Sequence, residues 1–378
     1  MVASAENLLP QEILNELEGV NACAPMVRYG KLPFRALVSQ YETHLVWSPM
    51  MLAAEFSRSA IARDSDFTTN DTERGIFYLD ERFAGPPVAE WDDAPERRGI
   101  LADPVARRKR QRKVRGKLLI QFAANDPVQL ADAAELAKPF VDAIDLNCGC
   151  PQKWAYQEGI GCALLRKPDL VRDLVRTTKQ RLGWEFPVSV KIRVDDDVSR
   201  TQELVSNIIA AGADILTVHG RTRHQSSAGH PVNLDAIKVA AEFTKGAVPV
   251  VANGDVFTKQ DAEHMRKTTG VQGVMSARGL LANPALFAGY DETPAEAIRS
   301  FLSLSTSLGL IYPLFHRHLA YMLESRFTQR RDRILFNSLA SYAGVVDWLE
   351  ERGFWETGGA GAGGRGTGFE QPLSTVSI

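Results

Sequence analysis

Eight short apolar runs, each bounded by turn residues and most of them separated by amphipathic stretches, constrain the fold of this chain more than any other feature. They are Val20–Pro25, Leu45–Ser48, Leu118–Phe122, Ala143–Asn147, Val188–Ile192, Ile215–Val218, Val248–Ala252 and Gly273–Met275. The stretches Pro127–Phe140, Pro168–Leu182, Thr201–Ala211, Leu234–Phe243 and Lys259–Thr268 lie between them with helical spacing. A run that is apolar at consecutive positions suits a strand covered on both faces, and helix-length crossovers join parallel strands. Eight such units predict an α/β fold, a (β/α)8 TIM barrel with a C-terminal helical domain. An open doubly wound sheet is the alternative, but no G-x-G-x-x-G follows the first run. With 378 residues, 44% of them hydrophobic, the chain can form one barrel-sized domain and a smaller one.

The expected organisation is an N-terminal extension over 1–19, the barrel over 20–293, helices over 294–355 and a Gly-rich disordered tail over 356–378. The barrel is interrupted at about 72–117 by a charged insertion rich in Pro and Gly, read as exposed and partly disordered. It ends in Arg107-Arg108-Lys109-Arg110-Gln111-Arg112-Lys113-Val114-Arg115. That basic run fits a nuclear-import signal, an RNA-contacting arm or a solvated linker, and the sequence leaves all three open. Beyond Pro294 the pattern is helical: Ala295–Leu310, Tyr312–Thr328 and Ile334–Arg352. There Arg317, Arg326, Arg330, Arg331 and Arg333 alternate with Tyr312, Phe315, Tyr321 and Phe327. Such a mixture suits phosphate contacts and base stacking, or the charged outer face of an amphipathic bundle.

Composition excludes several classes. A net charge of −2 carries no global polyanion-binding signature. Four cysteines are too few for a disulfide scaffold and fit a reducing compartment. Cys148-Gly149-Cys150 has no second pair at zinc-finger spacing, so no metal is expected. Met1–Leu9 lacks the pattern of a secretory leader, and no apolar stretch reaches the ~18 residues of a membrane span. The expectation is a soluble cytoplasmic protein, with nuclear entry left open by the basic run.

The run Asn147-Cys148-Gly149-Cys150-Pro151-Gln152 follows the fourth apolar segment, where a barrel keeps its chemistry at the carboxyl ends of its strands. Gly149 permits a tight turn and Pro151 restricts the backbone of Cys150, so this thiol reads as positioned. Cys148 reads as a turn or core thiol. Other strand ends carry Ala24-Pro25-Met26, Gln121, Lys191 with Arg193, His219-Gly220-Arg221, Asn253-Gly254-Asp255 and Ala277-Arg278-Gly279. A packed barrel interior would use branched apolar residues at these places. The small residues of the last two motifs let backbone N–H groups approach a phosphate, with Arg278 as a charged donor. Gln121 and Lys191 suit a flat heterocycle, lysine matching the edge of a flavin that becomes negative on reduction, and Met26 can pack on a ring face. Together these favour FMN over a sugar phosphate.

In order and spacing, from about Asn21 to Tyr290, these motifs resemble the flavin-dependent tRNA-dihydrouridine synthases. The wording Cys23-Ala24-Pro25-Met26-Val27-Arg28-Tyr29, with Ala62-Arg63-Asp64-Ser65 and Phe67-Thr68-Thr69-Asn70, resembles the eukaryotic Dus4-type class associated with D-loop uridines 20a and 20b. The insertion at 72–117 departs from the compact family pattern. The resemblance implies reduction of the uridine C5=C6 bond in tRNA with FMN as cofactor. NADPH or NADH would serve as a transient reductant, since no dinucleotide fingerprint is present. It implies Cys150 as proton donor and Pro25, Met26, Val27, Gln121, Lys191, His219, Asn253, Gly254, Asp255, Ala277 and Arg278 around the cofactor. Asn147, Arg193 and Arg221 would meet the substrate uridine, and Arg326 and Arg330 the tRNA, in a monomeric protein without metal. Two other readings are an FMN-dependent oxidoreductase of free pyrimidines, similar to dihydroorotate dehydrogenase, and an RNA-binding barrel that has lost catalysis. The Arg-rich C-terminal segment counts against the first, and the filled flavin positions against the second.

Overall fold

The computed structural model describes residues 4–82 and 111–354. Its strands are β1 (Val20–Cys23), β2 (Leu45–Leu52), β3 (Ile76–Asp80), β4 (Gln111–Arg115), β5 (Lys117–Ala123), β6 (Ala143–Cys148), β7 (Val188–Arg193), β8 (Ile215–His219), β9 (Val250–Asn253) and β10 (Gly273–Ser276). All but β3 and β4 form a closed parallel barrel in the order β1-β2-β5-β6-β7-β8-β9-β10 and back to β1. All eight expected strands are present, and the helices Pro168–Leu182 and Leu234–Phe243 keep their expected limits.

Strand alternation sorts the side chains into two cores. Leu45, Trp47, Leu119, Ala143, Ile215 and Val251 fill the barrel interior. Ile144, Leu146, Val190, Ile192 and Leu216 face the surrounding helices. On β6 this sends Asp145 and Asn147 inward with Ala143, and Cys148 outward with Ile144 and Leu146. The strand β2 runs past Pro49, where the sequence suggested an end. A bulge between Trp47 and Met50 absorbs the proline, and Ser48 Oγ accepts from Gln121 N at 2.9 Å in place of a ladder bond.

The ends of the 72–117 insertion differ from the exposed loop read in the sequence. β3 and β4 pair as an antiparallel ribbon that buries Phe77 and Val114 with Ile13 and Leu14 against the N-terminal end of the barrel. Helix Pro10–Glu16, inside the segment read as an extension, supplies Ile13 and Leu14; Pro10 opens it and Glu12 accepts from Leu9 N at 2.6 Å. Arg112 pairs with Glu6 and Glu16, and Arg115 with Asp71 at 2.6 Å, so these members of the basic run serve the ribbon. Arg107, Arg108, Lys109, Arg110 and the Gly-rich tail lie outside the described residues.

Helices Ala295–Ser307, Tyr312–Met322, Arg330–Ser338 and Tyr342–Glu350 follow the barrel. Phe301, Phe315, Leu319 and Phe336 extend the core that covers the strands. His318 is a polar residue of this seam: it is fully buried, stacks on Phe34 at 4.7 Å and bonds Tyr29 O through Nε2 at 3.1 Å. Burial pushes its pKa down to about 3, with the Tyr29 carbonyl opposing weakly. The neutral imidazole is therefore the folded form. The stability it contributes is complete above its unfolded value of 6.5 and is lost as the pH falls from 6.5 toward 3. Acidification to pH 5 should cost about 2 kcal/mol at this site alone. Thermal denaturation at pH 7.5 and 5 should show a smaller pH dependence for His318→Gln than for the parent; equal slopes would remove His318 from the acid response.

Candidate active site

The carboxyl ends of the barrel strands place a polar, mostly cationic layer around one opening. Lys191 lies on the inward face of β7, 8% exposed, and donates to Asn253 Oδ1 at 2.9 Å; Asn253 Nδ2 donates in turn to Met275 O at 3.0 Å. Burial lowers the Lys191 pKa to about 8, with Asp145 opposing and Arg193 assisting. Arg193, two residues further on the same face, holds the β8 loop through Thr222 O at 2.8 Å and Gln225 O at 3.1 Å. Its Nε is buried without a protein partner. His219 ends β8, its pKa pushed down to about 2 by burial and by Lys191, Arg193, Arg221 and Arg278. Its ring is neutral at physiological pH and acts as a hydrogen-bonding group. At the next strand end Asp255, at φ 49, accepts from Arg278 at 2.7 Å and from Arg221 and the Val232 amide.

Two glycines are required here by space. A Cβ on Gly254 (φ +130) would lie 2.6 Å from Val232 Cγ2, and one on Gly279 would lie 2.1 Å from Val256 O. The first contact holds the β9 loop against the β8 loop and the second holds the β10 loop against the β9 loop, where Ala277 and Arg278 begin a short helix.

The thiol follows from the turn after β6. Asn147 Oδ1 accepts from Gly149 N at 3.1 Å and from Cys150 N at 2.9 Å, folding the chain back over the strand end. Cys162 N donates to Cys150 O at 3.0 Å, and a Cβ on Gly161 would approach Cys150 O at 2.8 Å. Cys150 is thus fixed from both sides and is half-buried, whereas Cys23, Cys148 and Cys162 are buried. Burial raises the Cys150 pKa above its ordinary 9.0, partly offset by the Gln152 amide, Arg193 and Lys191. The thiol is protonated at neutral pH and electrostatically coupled to the cationic layer.

Not every expected residue stands where the sequence reading put it. Pro25 and Met26 lie at the end of β1, half-buried and buried, while Val27 is 52% exposed. Gln121 and Asn147 are buried, and both spend their amides on protein partners. Arg221, expected at the substrate, is 1% exposed and committed to His230 O at 2.8 Å, to His219 and to Asp255. It is a buried brace for the loop. Arg326, expected to bind tRNA, donates to Thr293 O at 2.9 Å and pairs with Glu292 at 3.3 Å. It joins the helices to the barrel, while Arg330 is exposed beside Arg331.

Other contributors escaped sequence reading. Trp47, Asp145, Ser189 and Thr217 form a polar level inside the barrel, all fully buried. Gly161 backs the thiol. Trp154 and Tyr156, each 44% exposed, flank the buried Ala155 in the turn of helix after Cys150, and Arg223 lies over Tyr156 at 4.4 Å. Two aromatics alternating about an alanine, four and six residues after the key thiol, were the available signal.

A closed parallel barrel with a cationic mouth and one partly exposed thiol defines an α/β-barrel protein suited to an anionic ligand. The family profile "Dihydrouridine synthase (Dus)" matches residues 22–79 and 100–355, and the chain belongs to that family. It is 41% identical over 346 residues to the Homo sapiens protein named tRNA-dihydrouridine(20a/20b) synthase [NAD(P)+]-like, covering 90% of this chain and 93% of the other. It is 44% identical over 332 residues to the Schizosaccharomyces pombe tRNA-dihydrouridine(20a/20b) synthase [NAD(P)+], covering 88% and 87%. The Mus musculus tRNA-dihydrouridine(16/17) synthase [NAD(P)(+)]-like is 34% identical over 283 residues, 74% of this chain and 50% of that one. A solved structure of DHODH with ferulenol from Eimeria tenella superposes with a TM-score of 0.44 at 14% identity over 82% of this chain and 89% of that one, too remote to bear on function.

Proposed function

We propose that this protein is a Dus4-type enzyme that reduces the C5=C6 bond of D-loop uridines 20a and 20b in tRNA, using FMN and NADPH or NADH. The observation that carries the reading is the half-buried Cys150 thiol held beside the Lys191–Arg193 pair, with the other three thiols buried. The names of the relatives that cover nine-tenths of the chain support the uridine positions and the nicotinamide reductant.

The residues fit FMN by their donor set. Lys191 is a buried cation on the inward face, His219 is neutral, Arg278 is a reachable guanidinium, and Gly254 and Gly279 keep the last two loops tight. Pro25 and Met26 would line the ring, Lys191 would meet its pyrimidine edge, and His219, Asn253, Gly254, Asp255, Ala277 and Arg278 would surround the ribityl phosphate. When bound, FMN supplies the hydride chemistry. The chain's own task is the proton. The uridine C4 carbonyl polarises the C5=C6 bond so that C6 takes the hydride, and Cys150 Sγ–H holds the proton destined for C5. Arg193, on the same inward face as Lys191, would donate to a uracil carbonyl. The protein would act as a monomer in the cytoplasm, with nuclear entry depending on the basic run.

The test is dihydrouridine mapping of unmodified tRNA incubated with the purified protein, FMN and NADPH. Conversion at 20a and 20b is expected; a yellow, NADPH-reducible protein that leaves every tRNA uridine intact would overturn the proposal. The exposed arginines give a separate expectation. Arg330→Ala with Arg331→Ala should weaken tRNA binding and reduce the slope of log K against log salt by about one unit per phosphate contact. Arg326→Ala should chiefly lower the melting temperature. An unchanged salt slope in the double variant would return Arg330 and Arg331 to a solvated face.

A further inference from the structure

We propose that Asp145, in the middle of the barrel, is a positioning residue that fixes the Cys150 turn through a one-way chain of hydrogen bonds. Asp145 Oδ2 accepts from Gln121 Nε2 at 2.7 Å, Gln121 Oε1 accepts from Asn147 Nδ2 at 2.8 Å, and Asn147 Oδ1 accepts from the amides of Gly149 and Cys150. Register explains the contacts. Gln121 and Asp145 are directly paired across β5 and β6, and Asn147 stands two residues beyond Asp145 on the same inward face.

The direction of the chain is set by its ends. A carboxylate only accepts, and two backbone amides only donate, so each intervening side-chain amide has one satisfactory orientation. Burial disfavours the charged form of Asp145, while Ser189, Gln121, Lys191 and Trp47 favour it. An asparagine at 145 removes the fixed polarity. If its amide nitrogen turned toward Gln121, Gln121 would have to flip, Asn147 would flip after it, and two N–H groups would then face the Gly149 and Cys150 amides. If its oxygen stayed toward Gln121, its nitrogen could donate to Ser189 Oγ but would oppose the donor-only Trp47 indole. Either way an unfavourable contact is introduced in a dry interior, and one route ends at the thiol turn. The same chain carries Gln121 and Asn147, so the cofactor edge and the proton donor share one reference point. That coupling rests on the reading of Cys150 as proton donor; the hold on the turn does not.

The test needs neither FMN nor RNA. Cys150 is the accessible thiol of the four, so alkylation of the native protein by iodoacetamide reports on its turn. Asp145→Asn and Asn147→Ala should each raise the alkylation rate about fivefold, the value of one net hydrogen bond. Adding Gln121→Glu to Asp145→Asn should bring it back, because a glutamate accepts from both asparagines. Asn147→Ala keeps the proposal testable if the Asp145 variant does not fold. With the loaded enzyme, stopped-flow should show slower reoxidation by tRNA in Asp145→Asn than in the parent. Alkylation at the parental rate in Asp145→Asn or in Asn147→Ala, or no recovery in the Gln121→Glu combination, would overturn the chain. Altered alkylation with no tRNA-dependent reoxidation in any protein would leave it standing and remove the tRNA reading instead.

Discussion

Replacing Cys150 by alanine should lower uridine reduction by about 10²- to 10⁴-fold, the range of a positioned general acid. FMN content and tRNA affinity should be unchanged. The expectation follows from the geometry of the β6 turn: Cys150 is held by Asn147 on one side and Gly161 on the other, and the three remaining thiols are buried. Cys148 cannot substitute, because strand alternation turns it toward the helix layer and burial raises its pKa far above 9.0. Single-turnover reoxidation of the reduced protein by tRNA separates the proton step from flavin reduction. The parent rate should stay flat through neutral pH and decline only where the thiol ionises, above its ordinary 9.0. A Cys150→Ala protein that turns over at the parental rate would end the assignment.

The second large effect concerns Lys191. Lys191→Met preserves length but removes the buried cation and the donor to Asn253 Oδ1. A hydrogen bond to a charged group contributes about 1.5–3 kcal/mol, so FMN affinity should fall about 10- to 100-fold. The reduction potential should become more negative, because no positive charge then meets the reduced ring. Fluorescence titration with FMN and an anaerobic reductive titration measure the two quantities. Parental values in both would place the flavin away from Lys191.

Much of this was legible along the chain for a simple reason. A strand covered on both faces needs consecutive apolar residues, so eight strands were visible before any contact was known. Polar residues at their carboxyl ends were conspicuous because stability alone does not call for them. Where the sequence reading fell short, the deciding contact was distant. Nothing near Phe77 or Val114 announces that a ribbon flanking a charged segment packs on Leu14 across the barrel end. Arg221 and Arg326 have the composition of ligand-binding residues, and only Asp255, His230, Glu292 and Thr293 commit them to braces.

Local sequence was enough for the barrel, for the polar strand ends and for the candidate thiol. Each is a matter of periodicity and of backbone limits at Gly149 and Pro151, which act over a few residues. It took the folded chain to show which arginines face solvent and that a buried carboxylate at 145 stands behind the turn. Those depend on inward or outward pointing and on partners 24 to 34 residues away, set by closure of the barrel rather than by local preference.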